Sequence, residues 1–324
     1  MRLLALSLLV TGCADPCSKQ MAKGLPNPTG DFAVGATARN LIADDRTLAV
    51  TTFYPAVGSR DDRPWATEVQ LDWMVETGRM VNPPRDWTVA ATTDAPGANG
   101  DFPGVLFSPG LGNPSAVYSS LLIDLASRGV MVHAIDHPGI SGIVEYAETY
   151  EPQADRVPYG PADELHATVV ADLEAAQLEL GAAAAFGHSL GGSAAIQMCA
   201  NTETLTACLN LDGTQYGPVR SDGYQGTGVL LETAERPSLH DTAPQISDGY
   251  LLSMPSTGHH AFKDLAIAAC AADTEAARSM DLGLMAPDRA MQAFREIVAA
   301  SIFSKSVGKA LRQLGDEDVE LTQP

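Results

Sequence analysis

The chain has 324 residues, 45% hydrophobic and 19% charged, an ordinary globular composition with enough length to bury a large core; global disorder and a miniature fold stapled by metal or disulfides are both excluded. Twenty lysines and arginines stand against 40 aspartates and glutamates, and a net charge of −20 repels phosphate backbones, so nucleic acid is not an expected partner.

In chain order, Arg2 opens an apolar run, Leu3 to Val10, far short of the roughly 18 consecutive apolar residues of a spanning helix. A basic start, a short apolar stretch and then small residues read as an export signal over residues 1–12. Val10-Thr11-Gly12-Cys13 resembles the bacterial lipobox, so Cys13 is the expected lipidation site and a lipid anchor the only expected membrane contact. An uncomplicated signal peptide and a buried N-terminal strand are the alternatives. Residues 13–30, with Pro16, Gly24, Pro26, Pro28 and Gly30, read as a tether, and 31–324 as one domain. Export leaves Cys17, Cys199, Cys208 and Cys270 in an oxidising compartment, with three possible pairings. Cys199 and Cys208 are close in sequence, with a helix end and a strand start between them, and are the favoured pair. None of the four has Cys-x-x-Cys or Cys/His spacing, so no metal site is expected.

The segment Leu48 to Tyr54 is β-rich and stops at Pro55, whereas residues 56–100 read as irregular. A regular alternation follows. Strands are expected at 104–108, 130–136, 183–187, 205–211, 229–231 and 250–254, and helices at 116–128, 161–180, 189–199, about 261–272 and about 288–314. Strands alternating with helices through short connections form a mostly parallel sheet with helices on both faces. Pro138 to Gly160 is the longest loop inside this part, too short for a large separate lid.

Gly187-His188-Ser189-Leu190-Gly191 matches G-x-S-x-G, weak alone but here set between a small-residue strand and a small-residue helix. That context is the nucleophile turn of the α/β-hydrolase fold, which lifts a serine hydroxyl above the sheet and aims a helix N-terminus at developing negative charge. A serine hydroxyl needs a base and the base an acid, in the chain order Ser, Asp or Glu, His. Asp212 and Glu232, each ending a strand, are the acid candidates, and His259 and His260, after the last core strand, are the base candidates. His188 reads as a structural neighbour of the serine, His133 as a core histidine and His137 as a loop residue shaping the pocket; His166 lies on a helix face and His240 one strand too early. The glycine-rich loop Ser108 to Gly112 follows the first central strand, so the Leu111 and Leu190 N–H groups are the expected oxyanion donors.

The phrase Phe107-Ser108-Pro109-Gly110-Leu111-Gly112, followed by Tyr118 and Ile123 to Gly129, resembles the F-S-H-G-L-G and I-D-L-A-S-x-G of platelet-activating factor acetylhydrolases. Gly187 to Gly192, Leu209 to Gly213 and His259-His260-Ala261-Phe262 are similar to that family's serine, acid and base segments, over roughly residues 100 to 270 in all. The resemblance implies Ser189, Asp212 and His259 as the triad, with Leu111 and Leu190 as oxyanion donors. Pro109, where the family has His, and a shorter segment between Gly142 and Gly160 depart from the pattern and bear on the substrate. Dienelactone hydrolase-like, chlorophyllase-like and polyester hydrolase-like groups share these motifs. The expectation is an exported or lipid-anchored serine esterase for short-chain or accessible acyl esters, small-molecule or lipid, without cofactor or metal. A polyester/cutin-type or lipase-like hydrolase and a non-catalytic surface binding protein on the same fold are the alternatives.

Overall fold

The computed structural model describes residues 15–43, 45–58, 62–147, 150–152, 160–304, 306–314 and 318–323. The expected signal segment 1–12 and Cys13 lie outside the described residues, as do residues 153–159 before Gly160.

Strands β1 (Ala33–Ala43) and β2 (Arg46–Ala56) form a long antiparallel pair, and β3 (Thr92–Thr93) runs parallel to β1. Helix α1 (Glu68–Glu76) occupies part of the stretch read as irregular. The side chain of Thr67 caps the amide of Gln70, the Gln70 side chain returns to the Thr67 amide, and Leu71, Trp73 and Met74 are buried. Then come β4 (Gly104–Ser108), α2 (Ser119–Ser127), β5 (Met131–Asp136), α3 (Ala162–Leu180), β6 (Ala184–His188), α4 (Leu190–Asn201), β7 (Ala207–Leu211), β8 (Tyr224–Glu232) and β9 (Ile246–Ser253). Helices α5 (Asp264–Ala272), α6 (Pro287–Phe303) and α7 (Val307–Gln313) precede the last strand, β10 (Glu320–Gln323). One helix is expected from Asp288 to Leu314. Instead the backbone turns extended at Ser304 (φ −84°, ψ 131°), whose hydroxyl oxygen accepts the Ser306 amide in place of a helical bond.

The sheet order is β10-β9-β8-β7-β6-β4-β5-β2-β1-β3, parallel from β9 through β5. Alternate strand residues feed two separate cores. Val105 and Phe107 of β4, Phe186 of β6 and Leu209 of β7 face one core with Leu121 of α2, Leu265 of α5 and Phe294 of α6. Leu106, Ala185 and Cys208 face the other, with Val169 and Leu173 of α3 and Met198 of α4. The chain leaves β4 toward β5 on one side and returns to β6 on the other, so the loops after β4 and β6 diverge. That divergence opens a crevice at the carboxyl ends of the two strands.

From Asp15 onward the segment expected to be a tether is fastened to the domain. Cys17 is disulfide-bonded to Cys270 of α5. The Asp288 carboxylate accepts the Met21 and Ala22 amides at 2.9 and 3.0 Å, and Arg295 donates to the Pro26 and Asn27 carbonyls at 2.9 Å each. Proline and glycine content marks a chain with little helix or strand, here a single helical turn at Pro16–Lys19; it says nothing about whether its carbonyls find donors. Cys199 and Cys208 form the second disulfide. None of these four cysteines should react with a thiol reagent before reduction. The double variant Cys17→Ser/Cys270→Ser should lose about 2–5 kcal/mol in a denaturant titration; an unchanged midpoint would mean that the segment adds nothing to the fold.

Candidate active site

Ser189 sits between β6 and α4 with φ 55° and ψ −122°, a conformation that a non-glycine residue adopts only when its surroundings impose it. The surroundings are backbone. The Ser189 amide donates to the Leu211 carbonyl at 2.9 Å, and its carbonyl accepts the Ser193 amide at 3.0 Å. A Cβ at Gly191 would lie 2.3 Å from the Ser108 carbonyl oxygen, and one at Gly213 would lie 2.0 Å from that of Ser189. Side chains at either position would push the turn off the ends of β4 and β7.

Asp212, at the end of β7, is fully buried and also has positive φ, 59°. His259 Nδ1 lies 2.6 Å from Asp212 Oδ2, and His259 Nε2 lies 3.1 Å from Ser189 Oγ. Thr233 donates its amide and hydroxyl to the same carboxylate at 2.8 and 2.9 Å. Arg236 grips it through Nε at 2.8 Å and Nη2 at 2.7 Å. Burial pushes the Asp212 carboxyl up, but the bonds from Arg236, His259 and Thr233 outweigh it and hold the group below the usual carboxylate range. An ionised Asp212 only accepts, so His259 carries its proton on Nδ1 and presents a bare Nε2 to the serine hydroxyl.

The imidazole is also fixed from behind. The His259 amide donates to Asp281 Oδ2 at 3.1 Å, and its carbonyl accepts from His188 Nε2 at 2.9 Å. With Nε2 donating, His188 Nδ1 accepts from the Tyr118 hydroxyl at 2.9 Å, and the Tyr118 oxygen accepts the Gly110 amide at 3.3 Å. Burial, then the neighbouring His259, Lys263 and His260, push His188 well below the ordinary imidazole range, so it stays neutral and this chain keeps its polarity.

In the loop after β4, the Gly110 carbonyl accepts the Asn113 amide at 3.0 Å. In a trans peptide the N–H points opposite to the C=O, so this bond turns the Leu111 amide away from Asn113. Among the described residues that amide has no partner, and neither does the Leu190 amide at the start of α4. Leu111, Leu190, Ser189 and His259 line one cavity of about 460 Å³, with Leu165 and Tyr216 adding apolar surface.

Other candidates lie elsewhere. Glu232 accepts the Arg236 amide at 2.9 Å and lies 3.1 Å from His240 Nε2, so it steadies the arginine rather than the imidazole. The His260 ring lies beside that of His259 and bonds neither Ser189 nor Asp212. His133 is buried against the Thr52 hydroxyl, and His166 is buried beside Tyr216. His137, expected to shape the pocket, is buried and does not line the cavity. Arg236 is the residue that sequence reasoning missed; it reaches Asp212 from the next strand's loop, and no local pattern marks that contact. Among the described residues no group of His, Cys, Asp and Glu could hold a metal ion, and no helix is long and apolar enough to cross a membrane.

The profile of the alpha/beta hydrolase family matches residues 105–318, well over half of the sequence. The chain belongs to that family. The profile of platelet-activating factor acetylhydrolase, isoform II, matches residues 17–159. A protein of Arthroderma benhamiae described as a probable 1-alkyl-2-acetylglycerophosphocholine esterase is 28% identical over 192 residues, which cover 56% of this chain and 50% of that relative. This α/β-hydrolase chain therefore spans about half the length of the curated relative that it matches. Among solved structures, a ferulic acid esterase from Streptomyces cinnamoneus has a TM-score of 0.81 at 22% identity, covering 93% of this chain and 100% of that one. A dienelactone hydrolase-like promiscuous phosphotriesterase from metagenomic libraries has a TM-score of 0.50 at 14% identity, over 83% and 99% of the two chains. At these identities both likenesses speak to the fold.

One buried lysine lies just behind the candidate site. Lys263 is 3% exposed and makes no ion pair among the described residues; burial, with the nearby Arg79 guanidinium, pushes its amine down to about 7. Between that value and the ordinary lysine range, the unfolded chain binds a proton that the folded one does not, so stability rises with pH across this window and levels off below it. Lys263→Met should raise the melting temperature at pH 7 and flatten its rise from pH 7 to 10; a lower melting temperature across the whole range would show that the amine has a favourable partner.

Proposed function

We propose that this protein is a serine ester hydrolase acting on short-chain or accessible acyl esters. The observation that carries the reading is one imidazole, that of His259, within hydrogen-bonding distance of both the Ser189 hydroxyl and the buried, arginine-held Asp212 carboxylate. In this mechanism His259 Nε2 takes the Ser189 proton as the hydroxyl oxygen bonds to the ester carbonyl carbon. Asp212 holds the Nδ1–H tautomer and balances the imidazolium that forms. The carbonyl oxygen, now negative, rests against the Leu111 and Leu190 amides, each such donor being worth about 3 kcal/mol in the transition state. His259 then returns its proton to the leaving alkoxide. Water, deprotonated by the same nitrogen, releases the acyl group and restores the serine.

The apolar cavity wall of Leu111, Leu165 and Tyr216 suits a small acyl or aryl group. The likeness to platelet-activating factor acetylhydrolases adds acetyl esters of ether phospholipids as the first substrates to screen. The same proposal includes export with a lipid on Cys13, and the two disulfides support it, because such bonds persist in oxidising compartments.

A fluorophosphonate probe should label the wild-type protein at Ser189. Ser189→Ala should lose p-nitrophenyl acetate hydrolysis by a factor of at least about 10³ with its melting temperature kept; undiminished turnover would discard the assignment. Asp212→Asn should lower kcat by up to about 10⁴-fold, through the wrong tautomer. Glu232→Gln should cost far less, and the reverse order would move the acid to β8. Cys13→Ser should shift the expressed protein from the membrane to the soluble fraction, and equal partitioning of the two forms would remove the anchor.

A further inference from the structure

Beneath the candidate site lies a second serine–histidine–aspartate–arginine chain. Ser108 Oγ, at the end of β4, is 2.9 Å from His137 Nε2, and His137 Nδ1 is 3.0 Å from Asp172 Oδ2 of α3. Arg46 of β2 grips Asp172 through Nε at 2.7 Å and Nη2 at 2.9 Å, as Arg236 grips Asp212. The resemblance stops at access. Ser108 is 0% exposed and His137 and Asp172 are 1% exposed, so no ester carbonyl can approach that hydroxyl.

The position of this chain gives it a different use. The His137 amide donates to Ser141 Oγ at 2.9 Å, and its carbonyl accepts the Ile140 and Ser141 amides at 3.0 and 2.8 Å. Arg46 Nη2 adds a bond to the Pro138 carbonyl at 2.9 Å. The turn from His137 to Ser141 is thus held at its ring and its backbone, and the Ile140 carbonyl passes the restraint on by accepting the Gly112 amide at 2.9 Å. Gly112 follows Leu111 directly. On the other side of the same loop, Ser108 is pinned by its hydroxyl, and its carbonyl lies where a Cβ on Gly191 would collide with it. Both ends of the peptide segment carrying the Leu111 amide therefore lead to His137.

We propose that Ser108, His137 and Asp172, clamped by Arg46, are positioning residues that hold the Leu111 amide where negative charge develops on the ester oxygen. This rests on the esterase reading, since the amide has no such task without it. Asp172, ionised beside its arginine, only accepts; His137 Nδ1 then donates to it, and Nε2 accepts the Ser108 hydroxyl proton. No proton leaves the chain during turnover. It works as a strut, and a donor displaced by even 1 Å from its task costs about a hundredfold in rate.

Ser108→Ala removes one hydroxyl with the least risk to folding, and Asp172→Asn alters the other end of the chain. In both, kcat for p-nitrophenyl acetate should fall about tenfold to a hundredfold with KM little changed. The affinity for a trifluoromethyl ketone, which mimics the tetrahedral adduct, should fall by a similar factor. Amide exchange over residues 110–113 should quicken, with residues 187–193 unaffected. A lowered melting temperature with kcat, ketone affinity and exchange over 110–113 unchanged would reduce the chain to a packing role and overturn the proposal. If the wild-type protein neither hydrolyses esters nor reacts with a fluorophosphonate, the esterase reading falls and the proposed task of the Leu111 amide falls with it. Unchanged exchange in the variants of an active enzyme overturns the strut alone.

Discussion

The structure turns on a contact between backbones. The turn at Ser189 is pressed on one side against the carbonyl of Ser108 and on the other against the chain just after Asp212, at separations where a single methyl group would not fit. That contact brings the ends of β4, β6 and β7 together at the crevice where the sheet reverses its winding direction. It also explains why Ser189 and Asp212 both hold positive φ: neither conformation is favourable alone, and each is imposed by the packed strands beneath.

Two buried carboxylates then organise the charges. Asp212 and Asp172 are each removed from water, each is bonded to an imidazole Nδ1, and each is gripped by two nitrogens of one arginine. Pairs of this kind add little net stability, because desolvation consumes most of the Coulombic gain. What they impose is a protonation state. A carboxylate held below its ordinary range can only accept, so it dictates the tautomer of the histidine next to it, and through that nitrogen the direction of the serine hydroxyl. The two assemblies differ in exposure: Ser189 opens on the cavity, whereas Ser108 is sealed inside. Accessibility separates a proposed reaction centre from a strut built of the same parts.

The mostly parallel α/β fold was legible because each central strand is a short run of apolar residues closed by a turn, and each helix after it has a length and a stop of its own. Helix α1 was missed although its signal is local: Thr67 and Gln70 stand at capping-box spacing, but the segment around them is crowded with prolines and glycines. The break between α6 and α7 was missed because apolar spacing continues across it. The packed course of residues 15–30 carried no signal, since carbonyls bonded to Arg295 look in a sequence like carbonyls bonded to water.

By itself the sequence determined the serine turn, because G-x-S-x-G between a strand and a helix is a local steric requirement, and it narrowed the acid and the base to two residues each, because chain order in this fold limits which loops reach the crevice. Only the tertiary structure shows which of them meet. Asp212 faces His259 while Glu232 turns to Arg236 and His240, a difference set by where β7 and β8 end relative to one another. Arg236, the path from Tyr118 through His188 to His259, and the buried chain from Arg46 to Ser108 join residues far apart in sequence. Hydrogen bonds of that kind depend on distances between folded elements, and those exist only once the sheet has assembled.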